Sequence, residues 1–252
     1  MSEFDRLRPE QETEAIEFAP GKYIIRTQEE AVIQLAHQQI VAVFQGESEI
    51  GPRALGNRSI CFDPTNPHAK SIINEIKERE PFRPFAGSML LEYFDEYFYT
   101  SSLTESPWMS YAIPIKEDKI QELAPIVHHD MTCRIQTVTE EQNKNYYNLI
   151  KAWHEETECP VIFNTSFNLG GEAMVETMEH AVDTCERCMI NFIYVPEDQD
   201  LDLEQFRKTE EEIQALLEEE ATEQAKLEVG GGEIKASENK GAFINTANGT
   251  NE

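Results

Sequence analysis

Positive charge is scarce in this 252-residue chain: 21 lysines and arginines stand against 48 aspartates and glutamates, a net charge of −27. That scarcity argues against nucleic acid or an anionic membrane as partner, because both need a broad basic surface. Cysteine is also sparse, and its odd count of five excludes a dense disulfide framework. A reducing, cytoplasmic setting is therefore expected, in which the sequons at Asn57, Asn164 and Asn248 carry no expectation of glycosylation. No run of eighteen apolar residues exists, so no membrane span is expected. The start, MSEFDRLRPEQETEAIEF, lacks the basic and apolar regions of a signal peptide. The phosphate-binding patterns GxxxxGK[ST] and GxGxxG, the GxSxG nucleophile elbow and the HExxH metal helix are missing too.

What is present is unevenly spread. Positions 197–252 hold 16 acidic and 5 basic residues, a net of −11, so the first 196 residues carry the remaining −16. Residues 1–26 read as a lead-in whose APGKYIIR suggests an edge strand. Residues 27–196 read as one α/β domain. Helical spacing with an N-cap candidate covers 27–39 and 66–79, apolar spacing at Tyr146, Leu149, Ile150 and Trp153 marks a helix over 143–157, and TMEHAVDTCERC reads as a further helix. The continuous apolar run at 40–44 reads as a strand, 160–167 as a buried strand running into a polar turn, and SMLLEYF, CRIQTVT and NFIYV as further strands. Their alternation with helices predicts a mixed sheet flanked by helices. Residues 197–252 read as an acidic tail, an amphipathic helix followed by disorder.

Six of the 21 cations, Arg53, Arg58, Lys70, Lys77, Arg79 and Arg83, lie within positions 53–83. Lys77 and Arg79 come at a predicted helix C-terminus, where complementing the helix dipole is an alternative to binding a ligand. Arg83 has no such explanation, and Pro81 and Pro84 restrict the backbone around it. In GPRALGNRS, glycines admit close approach and the planar forks of Arg53 and Arg58 match phosphate or carboxylate oxygens. These residues together predict an anion site. A second polar patch, FNTSFNLGGE, follows a buried strand, where ligands collect in open α/β sheets. Its Asn164, Thr165, Ser166 and Asn168 offer donors and acceptors, although such residues also form turns. Cys185 and Cys188 read as a packed helical pair, and His128–Asp130 as a turn.

FQGESEIGPRALGNRSI, INEIKEREPFRPFAGSML, MTCRIQTV and PVIFNTSFNLGGEAMVETMEHAV resemble, in order and spacing, the C-terminal domain of the O-carbamoyltransferases of nodulation-factor, cephamycin and tobramycin type. The resemblance implies a YrdC-like fold. It implies ATP with Mg²⁺ and carbamoyl phosphate as ligands, and carbamoyl adenylate and diphosphate as products. Carbamoyl transfer to a hydroxyl would then fall to a metal-binding, actin-like domain that has no counterpart here, and so to a separate subunit, the alternative being a stand-alone or degenerate relative. Catalytic roles map onto Lys77, Arg83 and Arg53. Substrate or nucleotide binding maps onto Arg58, Arg134, Asn164, Ser166 and Asn168. No tightly bound metal is expected in this chain. The pattern departs at Ser48 and Ile50, where an arginine and an aromatic are common, and at Gly170 and Ala173, where arginine and proline are usual. A non-catalytic nucleotide-binding subunit and an RNA-binding YrdC-like protein are the competing readings, and the charge opposes the second.

Overall fold

Thr27 caps the first helix as its residue type predicts. Its hydroxyl accepts the Glu30 amide at 3.2 Å, and the Glu30 carboxylate accepts the Thr27 amide at 3.4 Å. This reciprocal capping box starts α1 (Gln28–Ala36). The computed structural model describes residues 23–188, 190–203 and 206. The lead-in before Tyr23 and the expected helix and disorder of the tail lie outside the described residues.

The strands are β1 (Tyr23–Ile25), β2 (Val41–Phe44), β3 (Arg58–Phe62), β4 (Ala86–Leu90), β5 (Ile113–Pro114), β6 (Thr132–Val138), β7 (Val161–Ser166) and β8 (Phe192–Tyr194). With them run α2 (Ala69–Ile76), α3 (Phe94–Tyr97), α4 (Lys144–Thr157) and α5 (Met178–Cys188). The strands form one sheet in the order β1-β8-β2-β3-β7-β4-β6-β5. Pairs β1/β8, β2/β8 and β4/β6 are parallel and the rest antiparallel, so the sheet is mixed as the sequence predicts.

Both faces of the sheet are covered, which is why its strands read as unbroken apolar runs. In β2, Val41 and Val43 face α1 and α4 with Leu35, Tyr146, Leu149 and Trp153. Ala42 and Phe44 face the other way, among Ile73 of α2 and Ala181 and Cys185 of α5. Trp153 is 1% exposed, and its indole N–H donates to the Val161 carbonyl at 2.9 Å. Its polar atom is thus satisfied inside the core.

Three elements differ from the sequence reading. The strand β3 was concealed at the end of GPRALGNRSI, because it starts on arginine and serine. The chain of SMLLEYF is extended only to Leu90; it then turns through a 3₁₀ segment (Leu91–Tyr93) into α3, which buries Phe94 and Tyr97. Finally, α2 is shorter than 66–79. Asn66 accepts the His68 amide at 2.8 Å in a turn before the helix, and Glu78 ends it with φ 49°.

Candidate functional site

Arg134 of β6, Ala86 of β4 and Asn164 of β7 are direct partners across adjacent strands. Such partners project to the same face. Ala86 is the smallest of the three and leaves a gap between the two longer side chains. Two loops close over it. From the first come Pro52, Arg53 and Ala54; from the second come Arg79, Pro84 and Phe85. Met109, Thr165 and Ser166 complete a cavity of about 100 Å³.

The first loop is fastened from below by polar side chains. Asn164 Nδ2 donates to Ala54 O at 3.1 Å, Gln136 Nε2 to Leu55 O at 3.0 Å and Gln45 Nε2 to Gly56 O at 2.7 Å. Glu49 Oε1 accepts the amides of Leu55 at 2.6 Å and Asn57 at 2.8 Å. Gly56 has φ 108°, and a Cβ there would lie 2.4 Å from the Tyr146 ring, so the sharp turn needs glycine.

Three guanidinium groups line the cavity, and among the described residues no carboxylate does. Burial, then the neighbouring Arg53, hold Arg134 below the ordinary arginine value. Burial, then Arg83, with Arg134 adding, bring Arg79 down to about 10 against the pull of Glu80. Arg79 stacks its guanidinium 4.1 Å from the Phe85 ring centroid and donates from Nε to Asn74 Oδ1 at 2.7 Å. Its Nη2 is buried without a partner, as is Asn164 Oδ1. Crowded like charges and unpaired buried atoms both favour a bound anion. Arg79 also borders an open cleft of about 530 Å³ lined by Glu78, Glu80, Arg83, Gly170 and Gly171.

The structure brings Arg53, Arg134, Asn164 and Ser166 together at the cavity and does not bring Arg58, Lys77, Arg83 or Asn168 there. Arg58, expected to contact ligand, is 3% exposed and lies 3.7 Å from the Phe44 ring centroid. It donates to the carbonyls of Gln45 at 2.6 Å, Asn57 at 3.0 Å, Gly46 at 3.1 Å and Glu176 at 3.1 Å. Those bonds fasten the loop to the sheet. Lys77, expected to be catalytic, is 2% exposed. Its Nζ donates to Ser166 O at 2.6 Å, Asn168 O at 2.7 Å and Asn168 Oδ1 at 2.8 Å, so it clamps the exit of β7. Ser166 Oγ donates to the same Asn168 oxygen at 2.7 Å. Burial, then Arg79, bring the Lys77 amine down to about 7. Arg83 is exposed beside the cleft and pairs with Glu80 at 2.8 Å.

Arg79 is the cavity residue that sequence reasoning passed over, because dipole complementation accounted for it equally well. Its only signal was its place between Lys77 and Arg83. The His128–Asp130 turn and the helical Cys185–Cys188 pair are as expected. Met131 N donates to His128 O at 3.0 Å, and both thiols are buried and unbridged. Among the described residues no group of three or more His, Cys, Asp or Glu side chains is placed to hold a metal ion. No helix among them is long and apolar enough to cross a membrane.

Comparison with known proteins bears on the family and the fold. Nodulation protein NolNO of Sinorhizobium fredii is 42% identical over 152 residues, 60% of this chain and 22% of that protein. The 3'-hydroxymethylcephem-O-carbamoyltransferase of Amycolatopsis lactamdurans is 36% identical over 152 residues, 60% of this chain and 28% of the enzyme. The chain thus spans about a quarter of the length of these relatives. Among solved structures, P. abyssi Sua5 complexed with L-threonine superposes with a TM-score of 0.51 at 14% identity, over 68% of this chain and 49% of Sua5. That likeness shows the fold alone, and it is the YrdC-like fold expected. The family model described as Carbamoyltransferase C-terminus matches residues 32–198, so the chain belongs to the carbamoyltransferase C-terminal domain family.

Proposed function

We propose that this chain binds ATP and carbamoyl phosphate at the cationic end of the sheet and forms carbamoyl adenylate. Transfer of the carbamoyl group to a hydroxyl acceptor is assigned to a separate actin-like subunit. One observation carries the reading: Arg53, Arg79 and Arg134 converge on one cavity that no carboxylate among the described residues lines, in a chain of net charge −27. Holding cations together against their repulsion favours a polyanion there. Family membership points to carbamoyl chemistry, and one relative is an O-carbamoyltransferase by name.

The step balances with water. The phosphate of carbamoyl phosphate passes to water, giving carbamate and orthophosphate. A carbamate oxygen then bonds to the α-phosphorus of ATP, the α–β anhydride breaks, and diphosphate leaves. Arg53, Arg79 and Arg134 would neutralise charge as phosphates approach and depart, and such electrostatic stabilisation is the principal protein contribution to these reactions. Lys77 and Arg58 would hold the two loops in position. The cavity's donor set suits phosphate oxygens. Mg²⁺ would enter on the phosphates with its own waters, since no carboxylate among the described residues lines the cavity to receive it.

A second reading, a nucleotide-binding subunit without turnover, is favoured by one observation. The Lys77 ammonium protons are already taken up by three oxygens of the chain. One assay separates the two. The purified chain is incubated with ATP, carbamoyl phosphate and Mg²⁺, and diphosphate is measured. Release is expected, falling about 10²-fold or more in Arg134→Ala. No release with ATP binding intact supports the second reading. No nucleotide binding at all overturns both.

A further inference from the structure

A second cavity, of about 300 Å³, shares no residue with the arginine cavity. It lies where the parallel strands β1 and β8 end: Arg26 and Thr27 follow β1 directly, and Tyr194 closes β8. Ligands of α/β sheets collect at such carboxyl ends. The volume is at the lower end of the roughly 300–1,000 Å³ usual for small-molecule sites.

The helices α1 and α4 both begin at this cavity, with Gln28 and Lys144 on its lining. Their caps serve only part of each first turn. Thr27 Oγ1 accepts the Glu30 amide at 3.2 Å, and Asn143 Oδ1 accepts the Tyr146 amide at 3.1 Å. The amides of Gln28, Glu29, Lys144 and Asn145 have no partner among the described residues. Two helix N-termini with donors to spare draw a carboxylate.

The same lining carries three carboxylates, Glu29, Glu197 and Asp198, with Arg26 and Lys144, yet no two of these five pair with one another. Arg26 is spent on the carbonyls of Glu197 at 3.0 Å and Gln199 at 3.5 Å. Asp198 accepts neutral amides, from Asn145 Nδ2 and Gln199 Nε2, each at 2.9 Å. Glu29 accepts Gln28 Nε2 at 3.0 Å. Negative charge is thus held here by neutral donors, as an ammonium group would find it.

Tyr194 makes the second, independent observation. It is 1% exposed, and its ring packs in the core with Leu35, Tyr146 and Leu149. Its hydroxyl has no hydrogen bond to the described residues, although the residue lines the cavity. Burial, then Asp198, Glu29 and Glu197, raise its pKa, so the proton stays on the oxygen. A buried hydroxyl that spends neither its proton nor its lone pairs on the fold is free for a ligand.

These groups select one chemical class. A simple anion would meet three carboxylates, and a simple amine would leave both helix ends unused. Among the described residues no group of three or more His, Cys, Asp or Glu side chains is placed to hold a metal ion. We propose that this cavity binds a free α-amino acid. Its carboxylate takes the open amides of α1 and α4, and its ammonium lies among Glu29, Glu197 and Asp198. The Tyr194 hydroxyl can donate to the first and accept from the second.

The test uses the full chain. The protein amino acids are added singly and the shift in Tm is measured; the amino acid giving the largest rise is then titrated by calorimetry. At least one should raise Tm. Its decarboxylated amine and its deaminated acid, each lacking one charged group, should bind about ten-fold more weakly or worse. Tyr194→Phe and Glu197→Gln should each weaken the amino acid about ten-fold. No rise in Tm with any amino acid overturns the proposal. So does an amine or acid that binds as tightly as its amino acid, and so does unchanged affinity in both variants. Should Tyr194→Phe not fold, Glu197→Gln decides alone, since that side chain is exposed and bonds to no described residue.

Discussion

In the loop that runs from Gly46 into β3, Arg58 is enclosed by four backbone carbonyls, while Arg53 lines the cavity with no hydrogen bond to the described residues. In the segment from Lys77 to Ala86 the pattern repeats. Lys77 is enclosed by three oxygens of the β7 exit, while Arg79 keeps a buried Nη2 without a partner at the cavity. Each segment therefore devotes one cation to its own structure and turns another toward the cavity. Charge and sequence position do not distinguish the two kinds. Placement does: a cation enclosed by backbone carbonyls holds the fold, even though Arg58 Nε is buried without a partner, whereas one that lines the cavity beside other cations is placed for a ligand.

The largest effect should come from breaking the structural member of the first segment. Arg58→Ala leaves four carbonyls without their donor and a void beside Phe44. A loss of about 4 kcal/mol is expected, in the range reserved for broken buried networks. Urea denaturation monitored by Trp153 fluorescence measures it. A variant as stable as the parent that no longer binds ATP would move Arg58 to the ligand-binding group and dissolve the contrast.

Lys77 should reveal itself through pH. In the folded chain its proton leaves near 7, because burial and then Arg79 oppose the charge. In the unfolded chain a lysine keeps its proton to about 10.4. Above pH 7 the unfolded state therefore binds more protons, and stability should rise with pH by at most about 1.4 kcal/mol per unit. The rise should end as the unfolded lysine itself titrates. Denaturation of the parent and of Lys77→Met at pH 7, 8 and 9 isolates this contribution, since the other groups are common to both. Parallel curves would mean that the three oxygens hold the ammonium against burial.

Much of the fold could be read from the chain because the burial of its strands on both faces writes itself as apolar runs. The capping box at Thr27 is an equally local signal. The site was legible in part. Cation clustering located both loops, but the fates of Arg58 and Arg79 depend on contacts that no local pattern encodes. The carbonyl of Glu176 reaches Arg58 from 118 positions away, and Ser166 meets Lys77 from 89. Arg134 was found through resemblance alone, since its relation to Asn164 exists only through the shared strand partner Ala86. Gly170 shows the same limit. A Cβ there would lie 2.6 Å from the Lys77 carbonyl, so the glycine fits the clamp, a constraint visible only once the β7 exit and α2 are set together.

The smallest effect separates the two arginines of the second segment. Resemblance makes Arg83 a catalytic ligand, whereas the structure leaves its side chain 50% exposed, paired with Glu80 on the rim of the open cleft. An exposed ion pair of this kind contributes little, so Arg83→Ala should change stability by no more than about 0.5 kcal/mol. If the anion sits in the cavity rather than in the cleft, ATP affinity should fall by no more than about three-fold in Arg83→Ala. In Arg79→Ala it should fall about ten-fold or more, because a charge-assisted bond in a buried site is lost. Removing Arg79 also breaks its bond to the buried Asn74 and its stacking on Phe85, so both variants are titrated at a temperature where each is folded. Calorimetric titration of ATP into both variants makes the comparison directly. The reverse order, with Arg83→Ala the more damaging, would place the phosphates in the cleft between Arg83 and Gly170 and leave the cavity to the acyl group alone.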